Sequence, residues 1–87
     1  MAYKVEFVPS AAKELAKLPP KERKRLGDVI DGLAVSPRPH GSQKMTDRDA
    51  YKMRVGDYRI IYEVHERALL VLVLAVGNRQ DVYKRLR

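Results

Sequence analysis

Residues 3–8, YKVEFV, alternate between apolar and polar positions, with Tyr3, Val5 and Phe7 on one side, and so predict a first strand. Pro9 ends that run. Ser10 is a candidate cap for a helix that carries Ala11, Leu15 and Leu18 on one face. The LPP triplet at 18–20 breaks this helix, and Pro20 suits the first turn of a second one. In the second helix Leu26, Val29, Ile30 and Leu33 recur at the spacing of a single face. Gly27 and Gly32 weaken it locally. The stretch VSPRPHGSQKMTDRD (35–49) has no hydrophobic period and contains Pro37, Pro39 and Gly41, so it is expected to be a loop, too short to divide domains. Three further strands are expected near 50–55, 57–65 and 68–76. No internal repeat is present. The order of strand, two helices, three strands predicts a single α+β domain over 1–87, with an antiparallel sheet of about four strands and both N-terminal helices on one face.

The segment YKMRVGDYRIIYEV (51–64) carries the most specific pattern. Gly56 followed by Asp57 suits a two-residue hairpin turn of the type that places glycine first. In that register Val55 faces Tyr58, Arg54 faces Arg59, and Lys52 faces Ile61. Alternation then puts Lys52, Arg54 and Arg59 on one face. Tyr51, Met53, Val55, Tyr58, Ile60, Tyr62 and Val64 take the other face, a natural floor for the two amphipathic helices. Two arginines directly opposite each other destabilise a sheet by some tenths of a kcal/mol. A polar face needs no such cluster, so the pattern points to an anion site. The run LLVLVLAV (69–76) is apolar throughout and is expected to be an interior strand covered on both faces. Gly77 stops it, and Arg79 and Tyr83 follow.

Charge sharpens this picture. The chain carries 18 Lys and Arg against 11 Asp and Glu, a net charge of +7, which draws it to polyanions such as nucleic acids, acidic proteins or anionic membrane surfaces. Lys21, Arg23, Lys24 and Arg25 crowd the start of the second helix, the unfavourable end for cations; they are either a solvated surface or a contact for a partner or phosphate. With 45% hydrophobic and 33% charged residues the composition is that of a globular protein. No apolar run approaches the roughly 20 residues of a membrane helix, and MAYKVEF does not read as a signal peptide. The absence of cysteine excludes disulfides and thiolate metal sites, in keeping with a reducing cytoplasm.

The hairpin YKMRVGDYRIIYEV, the apolar strand and VGNRQDVY together resemble the RelE/ParE superfamily of toxin–antitoxin toxins, in its RelE branch. EFVPSAAKELAKLPP is similar to the family's opening strand and helix, and LAVSPRPHGSQKM to its connecting segment, with Met45 where Leu is usual. The resemblance implies an endoribonuclease that cuts messenger RNA in the ribosomal A site. It also implies partners: the ribosome with its mRNA, and an inhibitory RelB-like antitoxin from the same operon. The free toxin is expected to be a cytoplasmic monomer without cofactor or metal. Carried over by position, the active-site residues fall on Lys52, Arg54, Arg59, Arg79 and Tyr83. Arg54 stands where some members have a second lysine, and four residues follow Tyr83, leaving little room for a longer C-terminal helix.

In such cleavage the RNA's own 2′-OH attacks the adjacent phosphorus and the 5′-oxygen leaves. A proton must be removed, the phosphorane charge stabilised and the leaving oxygen protonated. Arginine forks match phosphate oxygens two at a time. His40 and His65, the usual residue type for proton transfer, lie in the Pro-rich loop and near a hairpin turn with no motif around them, and are expected to be ordinary exposed histidines. Lysine and tyrosine hold their protons at neutral pH in water, but clustered cations favour the deprotonated form of either. Lys52 is therefore the expected base, with Tyr83 as orienter or alternative base. Arg54 and Arg59 are expected to clamp phosphate and Arg79 to stabilise the leaving side. Two other readings stay open at this stage: a ParE-like toxin that acts on DNA gyrase, and an inactive RNA- or antitoxin-binding domain.

Overall fold

The computed structural model describes residues 2–78. Strand β1 (Lys4–Phe7) leads into helices α1 (Pro9–Ala16) and α2 (Pro20–Leu33), followed by β2 (Ser42–Lys44), β3 (Tyr51–Val55), β4 (Tyr58–His65) and β5 (Leu70–Asn78). The sheet has five strands in the order β1-β5-β4-β3-β2. The α+β class and the two helices on one face agree with the sequence pattern. The strand count and the sheet type do not. The segment expected to be all loop contributes β2, and β1 runs parallel to β5, so the sheet is mixed. β2 was hidden because its three residues, Ser42, Gln43 and Lys44, are all polar and show no apolar period.

Pro9 opens α1 rather than merely closing β1. Val8 occupies the cap position and no side chain caps the helix, so Ser10 does not serve there. Proline at the first helical position costs nothing, because its missing N–H would have had no intrahelical partner. An eight-residue helix is marginal alone, and contacts outside it hold α1. Ala11 is buried, and Glu14 accepts a hydrogen bond from the Val76 amide at 3.1 Å, beyond the stretch of β5 that pairs with β1. Arg23 donates to the Ala16 carbonyl at 3.2 Å, placing a cation at the negative end of α1.

The core lies between the helices and one face of the sheet. Leu26, Ile30 and Leu33 pack with Val55, Ile60, Tyr62, Val71, Val73 and Val76, all buried, and Leu15, Leu18, Val29, Tyr51, Met53 and Tyr58 pack around them. Burying each large side chain contributes about 1.5–3 kcal/mol. That exceeds the cost of about 1 kcal/mol for each glycine inside α2, so the helix persists through Gly27 and Gly32.

β5 is interior in strand order, as its apolar run suggested, but only one of its faces is covered by helices. Leu70, Leu72 and Leu74 are half-buried. A bulge then interrupts the alternation. Ile61 pairs with Ala75 while Tyr62 pairs with Val73, so Leu74 is the extra residue. The shift in parity keeps Val71, Val73 and Val76 in the main core, and leaves Ala75 and Leu74 beside Ile61, Ala50 and Met45 on the opposite face.

Tyr62 is fully buried, and its hydroxyl donates to the Pro37 carbonyl at 2.8 Å. Burial pushes its pKa above the ordinary tyrosine value. A group with a raised folded-state value stabilises fully below the unfolded value, about 10 for tyrosine, and that contribution is lost as pH rises through the folded value. Tyr62→Phe should therefore lower stability by about 1 kcal/mol at neutral pH and lose less stability than wild type above about pH 10. Denaturant unfolding at neutral and alkaline pH measures both; an alkaline loss as large in the variant as in wild type would contradict the assignment.

Candidate active site

The β3–β4 hairpin turns at Gly56 and Asp57 in the register read from the sequence, with Val55 opposite Tyr58, Arg54 opposite Arg59 and Lys52 opposite Ile61. Gly56 has a φ of +62°, while Asp57 keeps an ordinary negative φ, which is the turn that requires glycine first. A Cβ at Gly56 would stand 2.9 Å from the Arg25 guanidinium, the far end of an exposed side chain that would swing aside.

Two rows of side chains cross the face of the sheet away from the helices. Gln43, Lys52, Ile61 and Ala75 form one row, from β2 to β5. Arg54, Arg59 and Gly77 form the next. Gly77 has no side chain, so nothing rises from β5 beside Arg59. Gly41, Gln43, Lys52, Arg54 and Arg59 line a cleft of about 210 Å³ over this face. No carboxylate is among these lining residues. Arg54 donates from Nε to the Gly56 carbonyl at 3.1 Å, which orients its guanidinium at the turn. Arg59 is half-buried, with Nε shielded from solvent, whereas Arg54 is exposed. A concave surface bearing three cationic side chains, two of them forked donors, suits a phosphate group or another polyanion segment.

The sequence pattern missed Gly41 and Gln43, because they reach the cleft only through the tertiary seating of the 37–44 segment. On the helix side of the sheet, Arg38 donates to the Tyr51 hydroxyl at 2.8 Å and pairs with Glu66. The Tyr51 hydrogen bond, ahead of Glu66, raises the Arg38 pKa against the effect of desolvation. Tyr51 stacks on Tyr62 at 5.8 Å between ring centroids, and Lys44 lies 5.7 Å from the Tyr51 ring centre. Lys44 also pairs with Asp49 at 2.8 Å, which raises the lysine's pKa and lowers the carboxylate's. Ser42 donates to the Pro39 carbonyl at 2.8 Å. These contacts pin β2 from below, and Gln43 projects to the other side.

Of the predicted site residues, Lys52, Arg54 and Arg59 come together in the cleft. Arg79 and Tyr83 lie outside the described residues. Neither histidine lines the cleft; His65 sits 2.8 Å from Glu63 at the far end of β4, and His40 is exposed. The cations at the start of α2 mostly serve the chain itself. Arg23 caps α1, Lys24 pairs with Asp28 at 3.2 Å, and Arg25 lies over Gly56.

A small α+β protein with a cationic cleft on the open face of its sheet is the class that fold and site define. The chain belongs to the family described as ParE toxin of type II toxin-antitoxin system, parDE, which it matches over residues 5–83. It is 33% identical to the mRNA interferase toxin RelE of Escherichia coli (strain K12), over 95% of this chain and 92% of that protein. It is 31% identical to Toxin RelG of Mycobacterium tuberculosis, over 98% of this chain and 100% of that protein. The fold matches the toxin in the crystal structure of the intact E. coli RelBE toxin-antitoxin complex with a TM-score of 0.80 and 30% identity, over 91% of this chain and 99% of that one.

An anion that binds the cleft should stabilise the folded protein by mass action. Phosphate at matched ionic strength should therefore raise the unfolding midpoint more than chloride does. Arg54→Gln should shrink that difference. General exclusion of phosphate from protein surface acts alike on both proteins, so a thermal melt of the pair isolates the cleft. Equal gains in the two proteins would show that the cleft does not take the ion.

Proposed function

We propose that this chain is the toxin of a type II toxin–antitoxin pair and an endoribonuclease that cuts messenger RNA in the ribosomal A site without a metal ion. The observation that carries the reading is the cleft that gathers Lys52, Arg54 and Arg59 on one face. The RelE relative, itself named an mRNA interferase, supports the substrate class. Structures of similar toxins in complex with RelB antitoxins support a RelB-like partner for this chain.

In this reading the 2′-oxygen attacks phosphorus, the P–O5′ bond breaks, and the products end in a 2′,3′-cyclic phosphate and a 5′-OH. Arg54 and Arg59 hold the phosphate oxygens as negative charge builds. Lys52 takes the 2′-OH proton, with Tyr83 as orienter or competing base, and Arg79 stabilises the leaving oxygen, which takes its proton from solvent. The five roles rest on the family resemblance together with the register of the hairpin. The ribosome supplies the mRNA geometry that the free protein lacks, an orientation effect worth several powers of ten in rate. The free toxin is a monomer and works where ribosomes are, in the cytoplasm.

Primer extension on translated mRNA after induction should show cuts in frame with A-site codons. Arg79→Ala should slow cleavage by about a hundredfold or more, with Arg79→Lys recovering part, because lysine keeps the charge and loses the fork. Lys52→Ala should flatten the rise of rate with pH. If Tyr83→Phe removes the basic limb instead, Tyr83 is the base. Growth arrest by all of these variants, accompanied by gyrase-linked DNA breaks, would replace this reading with that of a gyrase poison, the activity that resemblance to ParE implies.

A further inference from the structure

We propose that Gln43 is the group that recognises the ribose 2′-OH, so that this side chain makes the cleft selective for RNA over DNA and orients the attacking nucleophile. The inference rests on the ribonuclease reading and assigns it a residue that the family resemblance did not supply.

The placement comes from the strand register. Gln43 pairs with Lys52 across β2 and β3, and both line the cleft. Side chains directly opposite on one sheet face have Cβ atoms about 5 Å apart, so a nucleotide oxygen within reach of the Lys52 amine is also within reach of the Gln43 carboxamide. Alternation sends the neighbours of Gln43 the other way. Ser42 bonds to the Pro39 carbonyl, and Lys44 engages Asp49 and the Tyr51 ring. These bonds hold the strand without using the carboxamide that faces the cleft.

The chemistry comes from the inventory of donors and acceptors. Protonated lysine and arginine only donate. Gly41 offers backbone alone. Among the described side chains lining the cleft, Gln43 is therefore the only one that pairs a donor with a permanent acceptor. A phosphate presents only acceptors and gains nothing from the Gln43 carbonyl. A 2′-OH presents a hydrogen as well, and an acceptor beside it fixes where that hydrogen points. With the hydrogen on the Gln43 oxygen, a lone pair of the 2′-oxygen is directed to phosphorus. The amide is too weak a base to keep the proton, which passes to the general base as the 2′-O–P bond forms and the P–O5′ bond breaks, the leaving 5′-oxygen taking a proton from solvent. The 2′-OH is also the group by which a protein tells RNA from DNA.

Gln43 is exposed on an edge strand, so Gln43→Leu removes the polar group without emptying the core. Two measurements test the role. Fluorescence anisotropy would compare a short single-stranded RNA with its all-deoxy counterpart of the same base sequence. Wild type should bind the RNA several-fold more tightly, and Gln43→Leu should bind both equally, with DNA affinity unchanged. On mRNA-programmed ribosomes Gln43→Leu should lose about tenfold in rate, the usual cost of one neutral hydrogen bond to the reacting group, with cut sites unchanged and partial recovery in Gln43→Asn. Discrimination between RNA and DNA that survives in Gln43→Leu, or is absent from wild type, overturns the inference. A changed base preference at an unchanged rate also overturns it, assigning Gln43 to a base edge instead. If wild type cuts no RNA yet its RNA preference vanishes in Gln43→Leu, the ribonuclease reading falls and the 2′-OH contact stands.

Discussion

The two-residue turn at Gly56 and Asp57 sets the register of the central hairpin, and the site depends on that register. Side chains alternate along a strand, so a slip by one residue would move every cation to the core face and every core residue to solvent. The turn is held by its backbone. Gly56 adopts a φ of +62° that suits glycine. Any substitution there meets backbone strain that acts on the position of Arg54 opposite Arg59, and it also obliges the exposed Arg25 side chain to swing aside.

That pairing is a local conflict within a fold that is otherwise consistent. Like charges across a strand pair cost some tenths of a kcal/mol. The same strands bury Val55, Ile60 and Tyr62 against α2, at about 1.5–3 kcal/mol for each large side chain. The apolar face outweighs the charged one by an order of magnitude, so the repulsion is tolerated without loss of the fold. Places where a sequence breaks a local rule and the fold absorbs the cost are candidates for function. Here the break coincides with a cleft, and the cleft has no carboxylate among its described lining residues.

The sheet divides labour between its faces at β2 as well. One side of that short strand is tied down by Ser42, Lys44 and, through the preceding segment, Arg38 and Pro37. The other side presents Gln43 beside Lys52. The tyrosine pair Tyr51 and Tyr62 thus belongs both to the core and to the support of the cleft wall. A disturbance on the helix side of β3 would reach the cleft through β2, with no contact to a substrate.

Much of this protein is legible along the chain because its information is local. The helical spacing of Leu26, Val29, Ile30 and Leu33, the alternation from Tyr51 to Val64, and the glycine-first turn each lie within a short window, and each predicted its element and the faces of the hairpin. The shared face of Lys52, Arg54 and Arg59 follows from alternation plus one turn. Tertiary structure decided what depends on distant partners. β2 is polar throughout, and it is a strand only because Met53, Lys52 and Tyr51 pair with it while contacts from Pro37, Pro39 and Arg38 seat it. The parallel pairing of β1 joins residues 4–7 to residues 70–73, and no local pattern records a partner so far along the chain. The bulge that sends Val73 and Ala75 to opposite faces arises inside a run of uniformly apolar residues, where alternation leaves no trace. Gly41 and Gln43 entered the site for the same reason: residue type and spacing describe a face, but only packing brings a second segment beside it.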